Sequence, residues 1–135
     1  MPRPEHLVAA VLDTHLWVWL AVGHNRAAPL ASFKGQWFLS AISVWEVLML
    51  ESKERLRLKP NPDQWLAANL APPVVLEPLS PAICRESCRL PDFHGDPADR
   101  MIVATALVLG LPLATADARI RDWNNRFKII QLVEF

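Results

Sequence analysis

At 135 residues, with 14 basic and 14 acidic side chains and 52% apolar residues, the sequence describes one domain, residues 1–135, large enough to bury roughly two-thirds of the surface its unfolded form exposes. With charge balanced, no excess of basic residues advertises a nucleic-acid partner, so any contact with RNA or DNA is expected to be local. No apolar run reaches the roughly 18 residues of a membrane span, and the amino end lacks a signal peptide's apolar core, so a cytoplasmic protein without a membrane partner is expected.

Leu7 to Leu12 is an uninterrupted apolar run closed by Asp13, the pattern of a strand buried on both faces of a parallel sheet. Thr14 to Val22 follows as an amphipathic stretch of helical length. Gln36 to Leu39 reads as a second strand, and Ser40 or Ser43 caps a helix from Val44 to about Arg55. Pro60 and Pro62 end that region, Asp63 opens a short helix with Trp65 and Leu66, and Pro72-Pro73 stops it. Val74 to Glu77 is a third strand; Ser80-Pro81, a cap followed by proline, starts a helix that runs to about Arg89.

A loop from Leu90 to Pro97 leads into a long helix from Ala98 to Leu109, with Gly110 placed as its left-handed cap. Leu113 to Thr115 is a fourth strand, Asp117 to Trp123 a short helix, and Ile129 to Val133 a last strand. Strands separated by helices throughout predict a three-layer α/β/α sandwich with a mostly parallel central sheet. The twelve prolines mark element ends, and no low-complexity tract divides the chain.

In such a fold, ligands bind beyond the carboxyl ends of the strands. Asp13 ends the first strand, Asp117 follows the fourth, Asp99 opens the long helix, and Glu46 falls in the first turn of its expected helix. Taken singly, acids at helix starts are explained by the helix dipole. Taken together, four crowded carboxylates repel one another and acquire raised pKa values unless a divalent cation neutralises them. Oxygen ligands point to Mg2+, with Mn2+ as a substitute. A metal-dependent phosphodiesterase is the chemistry this set suggests.

The segments Val11-Leu12-Asp13-Thr14-His15, Ser40-Ala41-Ile42-Ser43-Val44-Trp45-Glu46, His94-Gly95-Asp96-Pro97-Ala98-Asp99-Arg100 and Ala114-Thr115-Ala116-Asp117 resemble the PIN domain, and within it the VapC-type toxins of bacterial toxin-antitoxin pairs. The resemblance runs in order over nearly the whole chain. It implies a PIN-like fold and a Mg2+-dependent endoribonuclease that hydrolyses RNA with metal-activated water, leaving 5′-phosphate and 3′-hydroxyl ends and inhibiting translation. By motif match, Asp13, Glu46, Asp99 and Asp117 are the catalytic quartet, with Asp13 and Asp99 as direct metal ligands and Glu46 and Asp117 completing or orienting the shell. The implied partners are a cognate antitoxin, an RNA substrate and a second copy in a homodimer.

Around this quartet, Asp96 either binds a second ion or caps the long helix, the cap being preferred. Thr14, Ser43 and Thr115 either hydrogen-bond carboxylates or phosphate, or serve as caps. Arg100, Arg119 and Arg121, or Lys53, Arg55, Arg57 and Lys59, are the candidates for substrate contact, set against a solvated face; Arg100 alternatively pairs with a carboxylate. His15 and His94 flank the motifs and are read as loop or capping residues. Cys84 and Cys88 are read as small apolar fillers rather than a disulfide or a zinc site. Six tryptophans without a tyrosine imply a mostly aromatic-rich core, with one of Trp17 and Trp19 exposed for a protein partner.

Three rivals share parts of the pattern. A haloacid-dehalogenase-like phosphatase needs an acid two positions after Asp13, where His15 stands; a phosphoacceptor receiver needs an aspartate ending the third strand, where Glu77 stands. A catalytically silent module of the same fold is expected to lose acids, and all four are present. A DNA-directed metal nuclease shares the whole set.

Overall fold

The computed structural model describes residues 1–135. Four parallel strands, β1 (Ala9–Leu12), β2 (Gln36–Ser40), β3 (Val74–Glu77) and β4 (Leu113–Ala114), form one sheet in the order β3-β2-β1-β4. The helices are α1 (Thr14–Val22), α2 (Ala41–Ser52), α3 (Pro62–Asn69), α4 (Pro81–Arg89), α5 (Pro97–Leu109) and α6 (Ala118–Phe127), with short 3-10 segments at Pro4–His6 and Asn25–Ser32. No helix is long and apolar enough to cross a membrane.

Alternation along the strands divides the core between two faces. Ala10 and Leu12 of β1 pack with Leu16, Trp17, Leu30 and Trp65 on one side, while Val11 packs with Ile102, Val103, Ala106 and Ile120 on the other. Each strand residue thus points to the face opposite its neighbour, and both faces are covered. Each fully buried Leu, Ile or Val in these layers contributes about 1.5–3 kcal/mol. The expected α/β/α sandwich is therefore the observed architecture.

β1 lies between β2 and β4, so the chain leaves β1 in one direction to build β2 and β3 and returns to its other side for β4. This reversal opens a crevice at the carboxyl ends of β1 and β4, where ligands of open α/β sheets bind. Asp13 lies at one lip of that crevice, and Thr115 to Asp117 lie at the other.

Several boundaries differ from the sequence expectation for local physical reasons. β1 begins at Ala9 rather than Leu7, and Val8 is exposed. α2 starts at Ala41, because the Ser40 hydroxyl accepts the Ile42 N–H at 3.2 Å; the Ser43 hydroxyl is bound to Thr14 instead. Glu46 consequently sits in the second turn of α2, not the first. α3 is capped by Asn61, and α6 extends to Phe127 rather than Trp123. The expected last strand reduces to a single parallel bridge between Leu113 and Leu132. Its amino end is held by Asn124, whose side chain binds the N–H groups of Ile129 and Ile130 and the Ile130 carbonyl, so these groups are unavailable to a ladder. As expected, α5 ends on Gly110 in the left-handed conformation at φ 65°.

Gly35 fixes the entry to β2. A Cβ there would lie 2.1 Å from the Val8 carbonyl oxygen, which also accepts the Gln36 N–H at 3.0 Å and so begins the β1–β2 pairing. Gly35→Ala is expected to lower unfolding stability by about 1–3 kcal/mol, whereas Val8→Ala at the exposed neighbouring position changes it by about 0.5 kcal/mol or less. Urea unfolding of both variants checks this; equal losses would show that the close approach imposes no constraint.

Candidate metal centre

Asp13 is the most constrained acid in the chain. It caps α1 by accepting the Leu16 N–H on Oδ1 at 2.8 Å, while Oδ2 accepts the Thr115 hydroxyl at 2.5 Å and the Ala116 N–H at 3.2 Å. Its side chain is buried, and burial pushes its pKa above the ordinary carboxylate range despite these donors and the nearby His15. Such hydrogen bonds favour the charged form, but a buried carboxylate without a cation remains costly. Thr115 also accepts the Asp117 N–H at 3.0 Å, so one hydroxyl ties the acid ending β1 to the acid following β4.

Asp117 caps α6, accepting the Arg119 N–H at 2.8 Å and the Ile120 N–H at 3.4 Å. Burial raises its pKa, but the backbone and guanidinium of Arg119 and the Ile120 N–H outweigh that effect and leave it below the ordinary range. Asp99 lies in the first turn of α5, and its N–H donates to Asp96 at 3.1 Å. Asp96 is therefore the cap of α5. Burial raises the Asp99 pKa first, opposed by the His94 hydrogen bond and reinforced by the charges of Asp96 and Asp117. Glu46 reaches the same neighbourhood from α2: burial raises its pKa, the Thr14 hydroxyl and His15 lower it, and Asp96 and Asp99 raise it.

The charge of Asp99 acts on Glu46 and that of Asp117 acts on Asp99, while Asp13 is joined to Asp117 through the Thr115 hydroxyl. Ligand atoms of His94, Asp99 and Asp117 all lie within 4.8 Å of one another, close to the span of one coordination sphere of roughly 4 Å. Mixed imidazole and carboxylate donors suit a divalent cation. Asp13 lies outside this tightest group and is connected to it through Thr115.

His94 is the residue the sequence reading underrated. Its Nε2 lies 2.8 Å from Asp99 Oδ2, and its ring stacks on Phe93 with centroids 4.3 Å apart. The loop carrying it is braced by Arg100, whose guanidinium donates to the carbonyls of Ser87 at 3.2 Å and Phe93 at 2.9 Å. Arg100 accordingly serves the scaffold here, with no carboxylate partner. Trp123 completes the brace by donating to the Pro91 carbonyl at 2.6 Å and meeting Phe93 edge to face. His94 stands five residues before Asp99 in a loop, a placement without periodicity to signal the contact.

Thr14 and Ser43 are both buried, and their hydroxyls meet at 2.8 Å, joining the start of α1 to α2 below Glu46. Arg121 donates to the Thr115 carbonyl at 2.7 Å. Lys53, Arg55, Arg57 and Lys59 are exposed. Cys84 and Cys88 are free thiols, Cys84 half-buried and Cys88 exposed, so Cys88 is not the apolar filler expected. Trp17 is buried and Trp19 half-buried beneath His24 and Arg26; the exposed tryptophan is Trp45, beside Glu46 on α2.

The profile of the PIN domain family matches residues 10–124. The chain is 33% identical over 121 residues to ribonuclease VapC22 of Mycobacterium tuberculosis (strain ATCC 25618 / H37Rv), covering 86% of this chain and 92% of that protein. Among solved structures, VapBC2 from Rickettsia felis, bound to a DNA fragment from its promoter, superposes with TM-score 0.66 at 18% identity, covering 93% of this chain and 97% of that one. VapBC-1 from nontypeable Haemophilus influenzae gives TM-score 0.65 at 17% identity, with 93% and 97% covered. At these identities the structural likenesses speak for the fold.

The pKa directions fix how stability without metal depends on pH. Asp13, Glu46 and Asp99 are raised in the fold, so their stabilising contribution is complete below the unfolded values near pH 4 and is lost as pH rises through the folded values. Asp117 is lowered and acts oppositely, its contribution being lost as pH falls through its folded value. Because the Asp117 contribution changes only below about pH 4, the three raised acids govern the window from there toward neutrality, and the melting temperature of metal-free protein is expected to fall across it, with Mn2+ restoring it. Asp99→Asn is expected to raise the metal-free melting temperature and to diminish the Mn2+ response. Thermal unfolding with and without Mn2+ checks both; an unchanged Mn2+ response in Asp99→Asn would remove Asp99 from the metal site.

Proposed function

This chain belongs to the PIN domain family, and from that premise we propose that it is a divalent-metal-dependent endoribonuclease acting as the toxin of a toxin–antitoxin pair. The observation that supports this reading is that Asp99 and Asp117 lie, with His94, within 4.8 Å of one another, with Asp13 tied to Asp117 through Thr115 and Glu46 under the influence of the Asp99 charge. The similarity to a ribonuclease over most of the chain supports RNA as substrate.

In this reading Asp99 and Asp117 hold the cation directly, with Asp13 as a third carboxylate and His94 orienting Asp99 through the Nε2–Oδ2 contact. We assign Mg2+ as the working ion and Mn2+ as its substitute. When bound, such a cation supplies Lewis acidity that makes water nucleophilic near neutral pH and offsets charge on the phosphate. We assign to Glu46, whose pKa burial shifts upward, the role of taking the proton of the attacking water. Thr14 and Ser43 hold the base of that arrangement, and Thr115 fixes Asp13. Attack of that water at phosphorus in line with the 3′-oxygen would break the P–O3′ bond, the departing 3′-oxygen taking a proton from solvent, and would leave 5′-phosphate and 3′-hydroxyl ends.

We further assign the outward face of α2 to a protein partner. Trp45 is 56% exposed, and Leu48, one turn along, is 37% exposed, a pairing that a covering apolar segment would bury. The partner proposed is the antitoxin, with a second copy of the chain forming a homodimer. Free protein would then cleave RNA in the cytoplasm and inhibit translation.

Purified, antitoxin-free protein is expected to cut a mixed RNA pool with Mg2+ or Mn2+ and not with EDTA, and Asp13→Asn to abolish the products. End-group analysis is expected to find 5′-phosphates. Cleavage of single-stranded DNA alone would instead identify a DNA-directed nuclease, and cleavage of neither substrate would identify a silent binding module. Trp45→Ser is expected to leave the thermal midpoint of the free protein nearly unchanged but to weaken antitoxin binding by roughly 30-fold, as loss of an anchoring tryptophan does. Unaltered binding by calorimetry would place the partner elsewhere.

A further inference from the structure

Asp99 and Asp117 already share a cation, and it belongs to the chain. One terminal guanidinium nitrogen of Arg119 lies 3.5 Å from Asp99 Oδ2 and 3.4 Å from Asp117 Oδ2. The Arg119 backbone N–H is bound to Asp117 Oδ1 at 2.8 Å, so the side chain starts from a fixed point beside the site. Its side chain is 62% exposed, against 14% for Asp99 and 21% for Asp117. Arg119 therefore lies over the mouth of the acidic cluster with one side toward the carboxylates and the other toward solvent.

The oxygens it contacts belong to the two acids that, with His94, are close enough to hold a metal ion. A guanidinium and a divalent cation compete for such oxygens. The contacts are single and long, not the bidentate fork of a strong arginine–carboxylate pair, and exposed pairs of this kind are readily given up. The neighbouring arginines are differently committed. Arg100 donates to two backbone carbonyls and Arg121 to a third. Arg119 alone combines contact with the acids, exposure, and a guanidinium free of backbone acceptors.

We propose that Arg119 is an internal counter-cation which holds Asp99 and Asp117 together in the metal-free protein, yields them on metal binding, and then clamps a phosphate of the substrate strand beside the acidic site. The phosphate role rests on the nuclease reading; the competition with metal does not. An arginine suits both stations, because carboxylate and phosphate present similar oxygen pairs to its planar fork. It also answers an electrostatic need, since a site ringed by acids repels an incoming polyanion and the chain has no excess of positive charge to offset that repulsion.

Two measurements on the intact protein test this. In the first, Mn2+ affinity is read from the electron paramagnetic resonance of the free ion for wild type, Arg119→Ala, Arg119→Lys and Arg126→Ala. Arg126 is an exposed arginine that touches Asp92 and the Phe127 ring but none of the crevice acids, and it controls for general loss of charge. Arg119→Ala is expected to bind Mn2+ about 3- to 10-fold more tightly, Arg119→Lys to fall between it and wild type, and Arg126→Ala to match wild type. In the second, anisotropy of a labelled single-stranded RNA is followed against salt with saturating Ca2+. Here Arg119→Ala is expected to bind several-fold more weakly, with a log–log salt slope shallower by about 0.7.

Mn2+ affinity in Arg119→Ala that equals or falls below that of Arg126→Ala overturns the competition. Unchanged RNA affinity and slope overturn the clamp. Wild-type protein that binds no RNA overturns the clamp together with the nuclease reading, while the Mn2+ comparison still decides the competition by itself.

Discussion

The buried Asp13 carboxylate is the interaction on which the site depends. It ends β1, caps α1 through Leu16, and accepts the Thr115 hydroxyl and Ala116 N–H from the segment after β4. These bonds join the strands flanking the topological reversal at the edge where helix starts gather. They do not remove the cost of burying a charge, which is why the Asp13 pKa stays raised. A fold that buries an acid in this position favours a cation nearby, and His94, Asp99 and Asp117 form a group that could hold one.

Sheet order explains why residues so distant in sequence meet. Because β4 returns beside β1 instead of extending the sheet beyond β3, the loop after β4 lands next to the start of α1, and α5 delivers its first turn from the opposite face. Asp13, Asp96 and Asp117 all occupy helix caps, where backbone N–H groups and helix dipoles favour negative charge. The dipoles thus lower part of the repulsion among the acids, and Arg119 neutralises another part. Asp117, contacted by the Arg119 guanidinium and less buried than Asp13, has its pKa lowered.

Much of this was legible in the sequence where a local rule governs. The apolar run closed by Asp13, the cap at Asp96 and the Gly110 stop each follow from short-range chemistry, and the acids could be placed on one sheet edge from strand–helix alternation alone. What escaped depended on contacts between distant segments. His94 belongs to a loop whose position is set by Phe93 packing on Trp123 and by the Arg100 brace, so its approach to Asp99 had no periodic trace. Arg100 was open to a substrate role because its carbonyl acceptors cannot be inferred from its neighbours. The last strand was shortened by one side chain, Asn124, that captures backbone groups needed for pairing. Trp45 is exposed because α2 turns Ser43 and Val47 inward, which leaves the position between them on the outward face.

The most direct test of this account is anomalous diffraction from crystals grown with Mn2+. The account predicts an anomalous peak in the crevice between β1 and β4 with Asp99 and Asp117 among its ligands and the Arg119 guanidinium withdrawn from both. A fully occupied Mn2+ elsewhere on the molecule, with the crevice acids still bridged by Arg119 at saturating Mn2+, would contradict it.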